Sequence, residues 1–300
     1  MGKIEQTRAR NTREKVAARR AAARRAERRK RVLIAIGGSS LLAVLAIVLF
    51  AARPGLSTAS SAPAGGSTGT MAQDVAVARA VASVPAATFD SVGAGTAAGL
   101  AATSGQPLLT SAGKPEVLYM GGEYCPFCAA ERWVLAAALS RFGTFTGLSL
   151  IHSSPTDAYP STPTLSFHES AYTSKYVAFT PVEWFGEADD ASTPFGHVYL
   201  EHPTAQETAL FNTYANGSLP FIDIGNKYLV PQAQYLPSAL HSMSWSQVAA
   251  AMRTPSSPVA KDIDGAANII SAAICKITNG QPADVCSSAG VTAAAGSLPH

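Results

Sequence analysis

The sequence lacks the short motifs of several enzyme classes. Its histidines form no H-x-x-x-H or H-E-x-x-H pattern, so they indicate no zinc site. These histidines are His152, His168, His197, His202, His241 and His300. No G-x-S-x-G elbow and no P-loop is present, which leaves hydrolase and nucleotide-binding functions without support. We therefore expect neither a metal nor a cofactor.

Charged side chains are also scarce, at 14% of 300 residues, and they are unevenly placed. Residues 1–31 hold thirteen of the 23 Lys and Arg against three acids, a net charge of +10, which leaves the rest at −7. Residues 32–52, "VLIAIGGSSLLAVLAIVLFAA", contain no charge in 21 positions. A helix of that length, rising ~1.5 Å per residue, crosses a bilayer core of ~30 Å. The sequence therefore predicts a transmembrane helix over residues 32–52.

The basic arm, residues 1–31, predicts the orientation of this helix. Positive charge stays on the cytoplasmic side, so the N-terminus is expected there and residues 53–300 outside. The long apolar core and the poor cleavage site "FAARP" favour an uncleaved anchor over a secretory signal. Membrane headgroups account for the arginines, and no base-reading module accompanies them, so we predict no nucleic-acid partner. We expect a single-pass protein of the cell membrane, with a flexible tether at residues 53–70 and an exported domain at 71–300.

Cysteine is rare, and all four cysteines follow the predicted span. Two of them stand in "GGEYCPFCAAERW", between a predicted strand, "PEVLYMGG", and a helical pattern that we expect to stop at Gly143. Disulfide exchange needs a thiolate and a nearby resolving thiol, and a helix N-terminus lowers the pKa of a cysteine there. Pro126 suits the first helical turn, where a backbone N–H would be unpaired. The spacing favours Cys125 as nucleophile and Cys128 as resolving thiol.

Two other uses of these cysteines have to be weighed. A C-x-x-C can hold one side of a tetrahedral zinc, but the sequence offers no second half for such a site. A permanent disulfide between Cys125 and Cys128 stays an alternative. Cys275 and Cys286 lie near a helix end and a Pro-containing loop, which favours a local structural disulfide over a second redox pair.

The order of predicted elements indicates an α/β fold with a mixed sheet flanked by helices. After the cysteine helix, "LSLIHSS" (148–154) predicts a second strand. Residues 155–205, rich in Tyr, Phe, Thr and Pro, predict an insertion of edge strands or loop. A helix over 204–217, two short strands around the Gly225–Asn226 turn, and two C-terminal helices follow.

This pattern resembles the thioredoxin superfamily, in which a strand leads to C-x-x-C at a helix start and a later cis-proline begins a strand opposite the cysteines. The resemblance implies a thioredoxin-like mixed sheet and identifies Pro220 in "SLPFIDI" as the cis-proline. The sequence departs from the superfamily six residues before Cys125, where Tyr119 replaces a buried acid. Glu123 and Glu131 are candidate proton acceptors in its place, although ordinary solvated carboxylates are the favoured interpretation of both.

Apolar side chains are expected to surround the pair. Tyr124, Pro126, Phe127 and Leu219 are the predicted pocket residues, and Trp133 is predicted to be core. The "PF" between the cysteines lacks the histidine of strongly oxidising relatives and is closer to glutaredoxin-like pairs. The direction of electron flow stays open.

A narrower resemblance covers about residues 75–290. The segments "YMGGEYCPFCAAERW", "LSRFGTF", "SFHESAYTSKY", "SLPFIDIGNKY" and "DIDGAANIISAAIC" are together similar to an uncharacterised family, domain of unknown function 929. That family has a thioredoxin-like pattern but supplies no activity.

Two functional hypotheses follow. The favoured one is a membrane-anchored, extracytoplasmic thiol–disulfide oxidoreductase acting on exported proteins with thiols or disulfides, recycled by a membrane-embedded redox partner. The alternative is a non-catalytic binding or assembly module of the same fold, in which Cys125 and Cys128 form a permanent disulfide. A catalytic pair would react readily after mild reduction, whereas a structural disulfide would resist it.

Overall fold

A computed structural model of the protein describes residues 69–299. The predicted basic arm, the predicted transmembrane helix and all but the end of the predicted tether lie outside the described residues. Within residues 69–299, no single helix is long and apolar enough to cross a membrane. Two helices that meet at a 60° bend, Met71–Ala82 and Ala86–Val92, reach the length and apolar composition of a membrane span only when they are taken together.

The helices confirm most of the predicted helical segments. They are α1 (Met71–Ala82), α2 (Ala86–Val92), α3 (Pro126–Leu139), α4 (Ala205–Tyr214), α5 (Trp245–Ala251), α6 (Pro258–Ile277), α7 (Ala283–Cys286) and α8 (Ala289–Ala295), with a 3-10 turn at Pro237–Leu240. Thr204 shows why α4 begins where the sequence predicted. Its side chain accepts the backbone N–H of Glu207 while the Glu207 carboxylate accepts the N–H of Thr204, which forms a capping box.

The strands form one large sheet and two small ones. They are β1 (Ala101–Ala102), β2 (Thr110–Ser111), β3 (Lys114–Gly122), β4 (Gly143–Thr146), β5 (Ser149–His152), β6 (Pro163–Ser166), β7 (Ala171–Ser174), β8 (Ala178–Asp189), β9 (His197–Tyr199), β10 (Phe221–Ile224) and β11 (Tyr228–Val230). The large sheet has the order β1-β11-β10-β3-β8-β9, with β2 beside the start of β3. β3 pairs in parallel with β8 and antiparallel with β10, so the predicted mixed sheet flanked by helices is confirmed.

The predicted strand at residues 148–154 is confirmed, but the prediction of only edge strands or loop for residues 155–205 is wrong. β5 does form within residues 148–154, but it pairs with β6 in a separate two-stranded sheet. The parallel neighbour of β3 is β8, which lies inside the segment 155–205 that was expected to be an insertion. The chain between α3 and β8 folds into the β4–β7 and β5–β6 pairs.

Helix α3 is the central element of the described region. All of its 14 residues except Phe127 are buried, and its most extensive packing is against α6. The indole N–H of Trp133 donates to the carbonyl of Pro163 (2.9 Å), which satisfies the one polar atom of this fully buried side chain. Trp133 is therefore a core residue, as predicted. The helix ends at Leu139 rather than at Gly143, because Gly143 belongs to β4 and brings its Cα close to the Thr173 carbonyl on β7.

Candidate functional site

Cys125 is the N-cap residue of α3. Its backbone is extended (φ −80°, ψ 122°), and its sulfur accepts the backbone N–H of Cys128 at 3.4 Å. A sulfur in this position occupies the place of the Ser or Asp oxygen that usually caps a helix. Pro126 fills the first helical position and is buried. The local sequence therefore presents unpaired helix N–H groups to the Cys125 sulfur.

Both sulfurs are buried free thiols, with Cys125 6% and Cys128 0% exposed. The pKa of Cys125 lies below its ordinary value, chiefly because Cys128 hydrogen-bonds to its sulfur, despite the opposing effect of burial. The pKa of Cys128 lies well above its ordinary value because the side chain is completely desolvated. The two thiols thus differ in the direction expected for a nucleophile and a resolving thiol.

Leu219 and Pro220 lie opposite the pair. The Leu219–Pro220 peptide bond is cis, as predicted, and Pro220 is buried immediately before β10. The Leu219 carbonyl is 4.0 Å from the sulfur of Cys125. The structure therefore brings together three predicted site residues, Cys125, Cys128 and Leu219, with Pro220 fixing the direction of the carbonyl.

A buried ion pair that sequence reasoning missed lies behind the cysteines. Arg132, one helical turn after Cys128, donates from Nε and Nη2 to the two carboxylate oxygens of Glu183 on β8, both at 2.7 Å. Both side chains are 0% exposed. Among the described residues, the third guanidinium nitrogen, Nη1, has no hydrogen-bond partner. The signal in the sequence was the Glu131-Arg132 pair within a helix that is otherwise apolar on every face.

Tyr119 occupies the position where the resemblance implied a buried acid. It is completely buried, and its hydroxyl has no partner among the described residues. Its ring centroid lies 6.0 Å from the Arg132 guanidinium carbon. The hydroxyl lies against the Cα of Gly121, where any side chain would collide with it. Burial raises the pKa of Tyr119 well above its ordinary value, so it is a neutral phenol here.

Glu123 is buried, so the interpretation as a solvated carboxylate is wrong for it. Its carboxylate accepts the hydroxyl of Ser166 at 2.6 Å, and Ser166 in turn accepts the backbone N–H of His168. Burial and the neighbouring Glu183 charge raise the pKa of Glu123. The network reaches the surface through Glu201, which contacts the His168 ring at 2.6 Å and accepts the backbone N–H of Glu183.

Glu131 is buried as well, which overturns the same interpretation. Its carboxylate accepts the backbone N–H of Gln234, and its second oxygen has no partner among the described residues. Complete burial raises the pKa of Glu131 to about 8. Its contacts are thus with the loop before the 3-10 turn rather than with either sulfur. A role for Glu123 or Glu131 as proton acceptor stays a prediction.

Aromatic side chains surround the mouth of the site. Tyr124 stacks on the ring of His197 with centroids 3.7 Å apart, and Phe127 meets Tyr159 edge-on at 5.6 Å. Both predicted pocket residues are half-buried. His197 lies on β9 and Tyr159 in the loop before β6, and no spacing in the sequence identifies either residue.

The other two cysteines lie elsewhere in the fold. Cys275 on α6 and Cys286 at the end of α7 form a disulfide across 11 positions, which agrees with the predicted pairing. In residues 69–299, no group of three His, Cys, Asp or Glu side chains is arranged to hold a metal ion.

Comparison with known proteins places the chain in a family. A family model described as "Domain of unknown function (DUF929)" matches residues 101–276, which is more than half of the chain. No curated protein and no solved structure gave a significant match. The match covers the cysteine pair, the Arg132–Glu183 pair and Pro220, and it confirms the narrower resemblance found in the sequence. The chain therefore belongs to the DUF929 family.

Proposed function

We propose that the protein is a thiol–disulfide oxidoreductase that uses Cys125 as nucleophile and Cys128 as resolving thiol. The observation that carries this proposal is the capping position of Cys125, whose sulfur accepts the Cys128 backbone N–H at 3.4 Å. The helix N-terminus stabilises the thiolate, which is the reactive form. A thiol with a lowered pKa beside one with a raised pKa supports sequential use of the two sulfurs.

The order of elements supports a thioredoxin-like fold. β3, α3, β8, α4, β10, β11 and α6 follow one another as strand, helix, parallel strand, helix, antiparallel hairpin and helix. Within this order, the three features that the resemblance implied occur together: a strand leading to the cysteines, Cys125 at a helix start, and a cis-proline before β10. The small β4–β7 and β5–β6 sheets are additions between α3 and β8.

The chemistry is a two-step exchange of sulfur bonds. The Cys125 thiolate attacks one sulfur of a substrate disulfide, forms a mixed disulfide and releases the other substrate sulfur as a thiolate. Cys128 then loses its proton and attacks Cys125, which releases the second substrate thiolate and leaves the Cys125–Cys128 disulfide. Two electrons have passed from the pair to the substrate. The reverse sequence oxidises a substrate dithiol.

Leu219 gives the substrate a place to bind. Its carbonyl lies beside the Cys125 sulfur, where it can accept a backbone N–H from an extended substrate segment. We propose exported proteins with thiols or disulfides as substrates. The predicted membrane anchor at residues 32–52 motivates a membrane-embedded redox partner, which a Cys128→Ala variant would trap as a mixed disulfide with Cys125.

The second candidate, a binding module with a permanent Cys125–Cys128 disulfide, is favoured by one observation. Only 6% of Cys125 is exposed, which leaves a substrate sulfur little room to approach without movement of the aromatic side chains at the mouth. A disulfide at this depth would resist reduction.

One titration decides between the two candidates. The full-length protein is equilibrated in glutathione buffers of graded potential, and the state of Cys125 and Cys128 is measured by alkylation and mass spectrometry. A midpoint of about −120 to −200 mV supports a disulfide donor or isomerase, and one of about −230 to −270 mV supports a reductase. A pair still oxidised below about −300 mV overturns the proposal in favour of the binding module. The Cys125→Ser/Cys128→Ser variant is the control for alkylation at other sites.

A further inference from the structure

The Arg132–Glu183 ion pair lies where a charge would act on the cysteines. We propose that Arg132 is a positioning residue that stabilises the Cys125 thiolate, and that Glu183 is the counter-charge that limits this stabilisation. The inference rests on the proposed function for its purpose, because a stabilised thiolate matters only if Cys125 reacts. Its physical content can be tested on the reduced protein without any substrate.

The position of Arg132 is fixed by two rigid elements. It lies on α3, one turn beyond Cys128, so its side chain projects on the same face of the helix as the resolving thiol. The paired hydrogen bonds to Glu183 tie the guanidinium to β8, and the backbone N–H of Phe167 holds one Glu183 oxygen at 3.2 Å. A guanidinium held in this way has one orientation.

The two ends of the ion pair act on different neighbours. The Arg132 charge lowers the pKa of both cysteines. The Glu183 charge instead raises the pKa of Glu123 and of Tyr119. The cation is thus the member of the pair that acts on the sulfurs, and its Nη1 has no hydrogen-bond partner among the described residues. Burial strengthens the effect, since a charge acts more strongly where water is excluded.

Among the groups with the largest effects on the pKa of Cys125, Arg132 is the one cation. Tyr119 on β3 is a neutral phenol, and burial likewise raises the pKa of Tyr124, next to Cys125. Cys128 is the remaining close group, and its raised pKa keeps it protonated when Cys125 ionises. On the β8 side, Glu201 accepts the backbone N–H of Glu183 and contacts the His168 ring. These two groups therefore lie against Glu183 rather than against the sulfurs.

A purely structural ion pair would behave differently from an electrostatic one when each partner is removed. Loss of either partner disrupts a structural pair in the same way, so the reactivity of Cys125 should move in one direction for both variants. An electrostatic pair predicts opposite directions. Arg132→Met removes the cation and leaves Glu183, whereas Glu183→Gln keeps the cation, retains one hydrogen-bond acceptor and removes the opposing charge.

The experiment uses the reduced full-length protein in a Cys128→Ser background, so that Cys125 is the thiol observed. The pKa of Cys125 is measured from the pH dependence of alkylation and from thiolate ultraviolet absorbance. We expect Arg132→Met to raise this pKa by about 1 unit, which slows alkylation near neutral pH about tenfold. We expect Glu183→Gln to lower it by a smaller amount. Arg132→Lys, which keeps the charge, should restore most of the parental value.

Arg141→Met is the matched control for loss of a large cationic side chain. Arg141 bonds Asn268 and Ser271 on α6 and lies over the Phe89 ring, away from the cysteine pair's network. It should leave the Cys125 pKa unchanged. If Arg132→Met does not fold, Glu183→Gln and Arg132→Lys still carry the test, because the inference requires a lowered pKa for the first and a retained pKa for the second.

The outcomes separate this inference from the proposed function. Opposite shifts for Arg132→Met and Glu183→Gln support the inference even if the glutathione titration shows a permanent disulfide, in which case only the oxidoreductase proposal fails. The inference is overturned if both variants shift the Cys125 pKa in the same direction, or if neither variant shifts it. Either result would hold even if the protein catalyses disulfide exchange.

Discussion

The two cysteine pairs of this protein are in opposite states. Cys125 and Cys128 are free thiols at the start of the buried helix α3, with two residues between them and a buried ion pair nearby. Cys275 and Cys286 are joined in a disulfide that ties the end of α6 to the short helix α7. The first pair has two sulfurs with pKa values moved in opposite directions, and the second has no thiol to titrate.

The surroundings of the pairs differ in the same sense. Near the first pair and on its helix, three buried polar atoms lack hydrogen-bond partners among the described residues, namely Tyr119 Oη, Glu131 Oε2 and Arg132 Nη1. Within residues 275–286 of that same region, no buried side-chain polar atom is left in this state. Unpartnered buried groups are costly and concentrate at functional sites. The two pairs thus differ in their immediate surroundings, although both carboxylate oxygens of Asp264, further along α6 from Cys275, are in the same state.

The largest effect should be on exchange activity. Cys125→Ser is expected to reduce disulfide exchange to the rate seen without protein, because the remaining thiol of the pair, Cys128, is completely buried and has a raised pKa. Reduction of a model disulfide by the thiol form of the protein, or of insulin in a turbidity assay, measures this. Cys275→Ser/Cys286→Ser should retain activity, and loss of activity in that double variant alone would mean that the roles of the pairs are reversed.

The next largest effect should be on the free energy of unfolding, to which the Cys275–Cys286 pair should contribute more than the Cys125/Cys128 pair. Cys275→Ser/Cys286→Ser is expected to lower the free energy of unfolding by about 2–3 kcal/mol, because the disulfide closes a short loop of 11 positions. Chemical denaturation under reducing-agent-free conditions measures the change. Cys125→Ser/Cys128→Ser, measured against the reduced parent, should change it by less than about 1 kcal/mol. Equal losses for both double variants would remove the distinction between the pairs.

A smaller effect should be the dependence of the free energy of unfolding on pH, to which Glu131 contributes. Its pKa in the folded state is raised from 4.5 to about 8, so the folded protein holds a proton that the unfolded chain has released between these values. Stability should therefore fall as pH rises through this window, by up to about 1.4 kcal/mol per unit. Glu131→Gln should remove the contribution of Glu131 to this slope, since the amide keeps an acceptor for the Gln234 N–H.

Denaturant titrations at several pH values between 5 and 8 test the Glu131 prediction. Glu169→Gln, at an exposed side chain, is the control and should leave the slope unchanged. A slope that persists in Glu131→Gln would assign the pH dependence to another group, for which Asp264 is the first candidate because burial raises its pKa to about 8.

The smallest effect separates two buried tyrosines. Tyr119→Phe removes a hydroxyl without a partner among the described residues, so the free energy of unfolding should stay constant or rise by up to about 1 kcal/mol. Tyr235→Phe removes a hydroxyl that donates to the Ala130 carbonyl at 2.9 Å, and should cost about 1 kcal/mol. Thermal or chemical denaturation of both variants measures the difference. A loss for Tyr119→Phe as large as for Tyr235→Phe would show that the Tyr119 hydroxyl is satisfied after all.

Local signals in the sequence were sufficient for the part of the site around the cysteines. The apolar run ending in glycines, the C-x-x-C and Pro126 predicted β3, α3 and the capping position of Cys125, and the Gly225–Asn226 turn predicted β10 and β11. These features depend on neighbours in the chain. Pro220 could be identified only through the resemblance, because a proline next to a short strand is ordinarily trans.

The features that were missed depend on contacts between distant segments. β8 was taken for edge strand or loop because residues 155–205 are rich in Tyr, Phe, Thr and Pro, yet the strand lies next to β3, where Pro181 is opposite Tyr119. Proline is ordinarily excluded from positions that are paired on both sides. Among the described residues, β9 pairs with β8 only between Phe185 and Asp189, so at Pro181 the strand is paired with β3 alone. Arg132 and Glu183 are 51 positions apart, so no local pattern could show that one neutralises the other.

The late position of β8 in the chain has a consequence for assembly. Its ladder with β3 joins residues about 60 positions apart, such as Val117 and Phe179, and closing so long a loop is slower than forming the β10–β11 hairpin. Before β8 pairs with β3, Glu183 does not contact Arg132, and all four cysteine thiols are accessible on a chain that has not finished folding. We expect Cys275 and Cys286 to be oxidised to their disulfide first, because they are close in the chain. A non-native Cys128–Cys275 disulfide would then identify molecules that were oxidised before β8 had paired with β3.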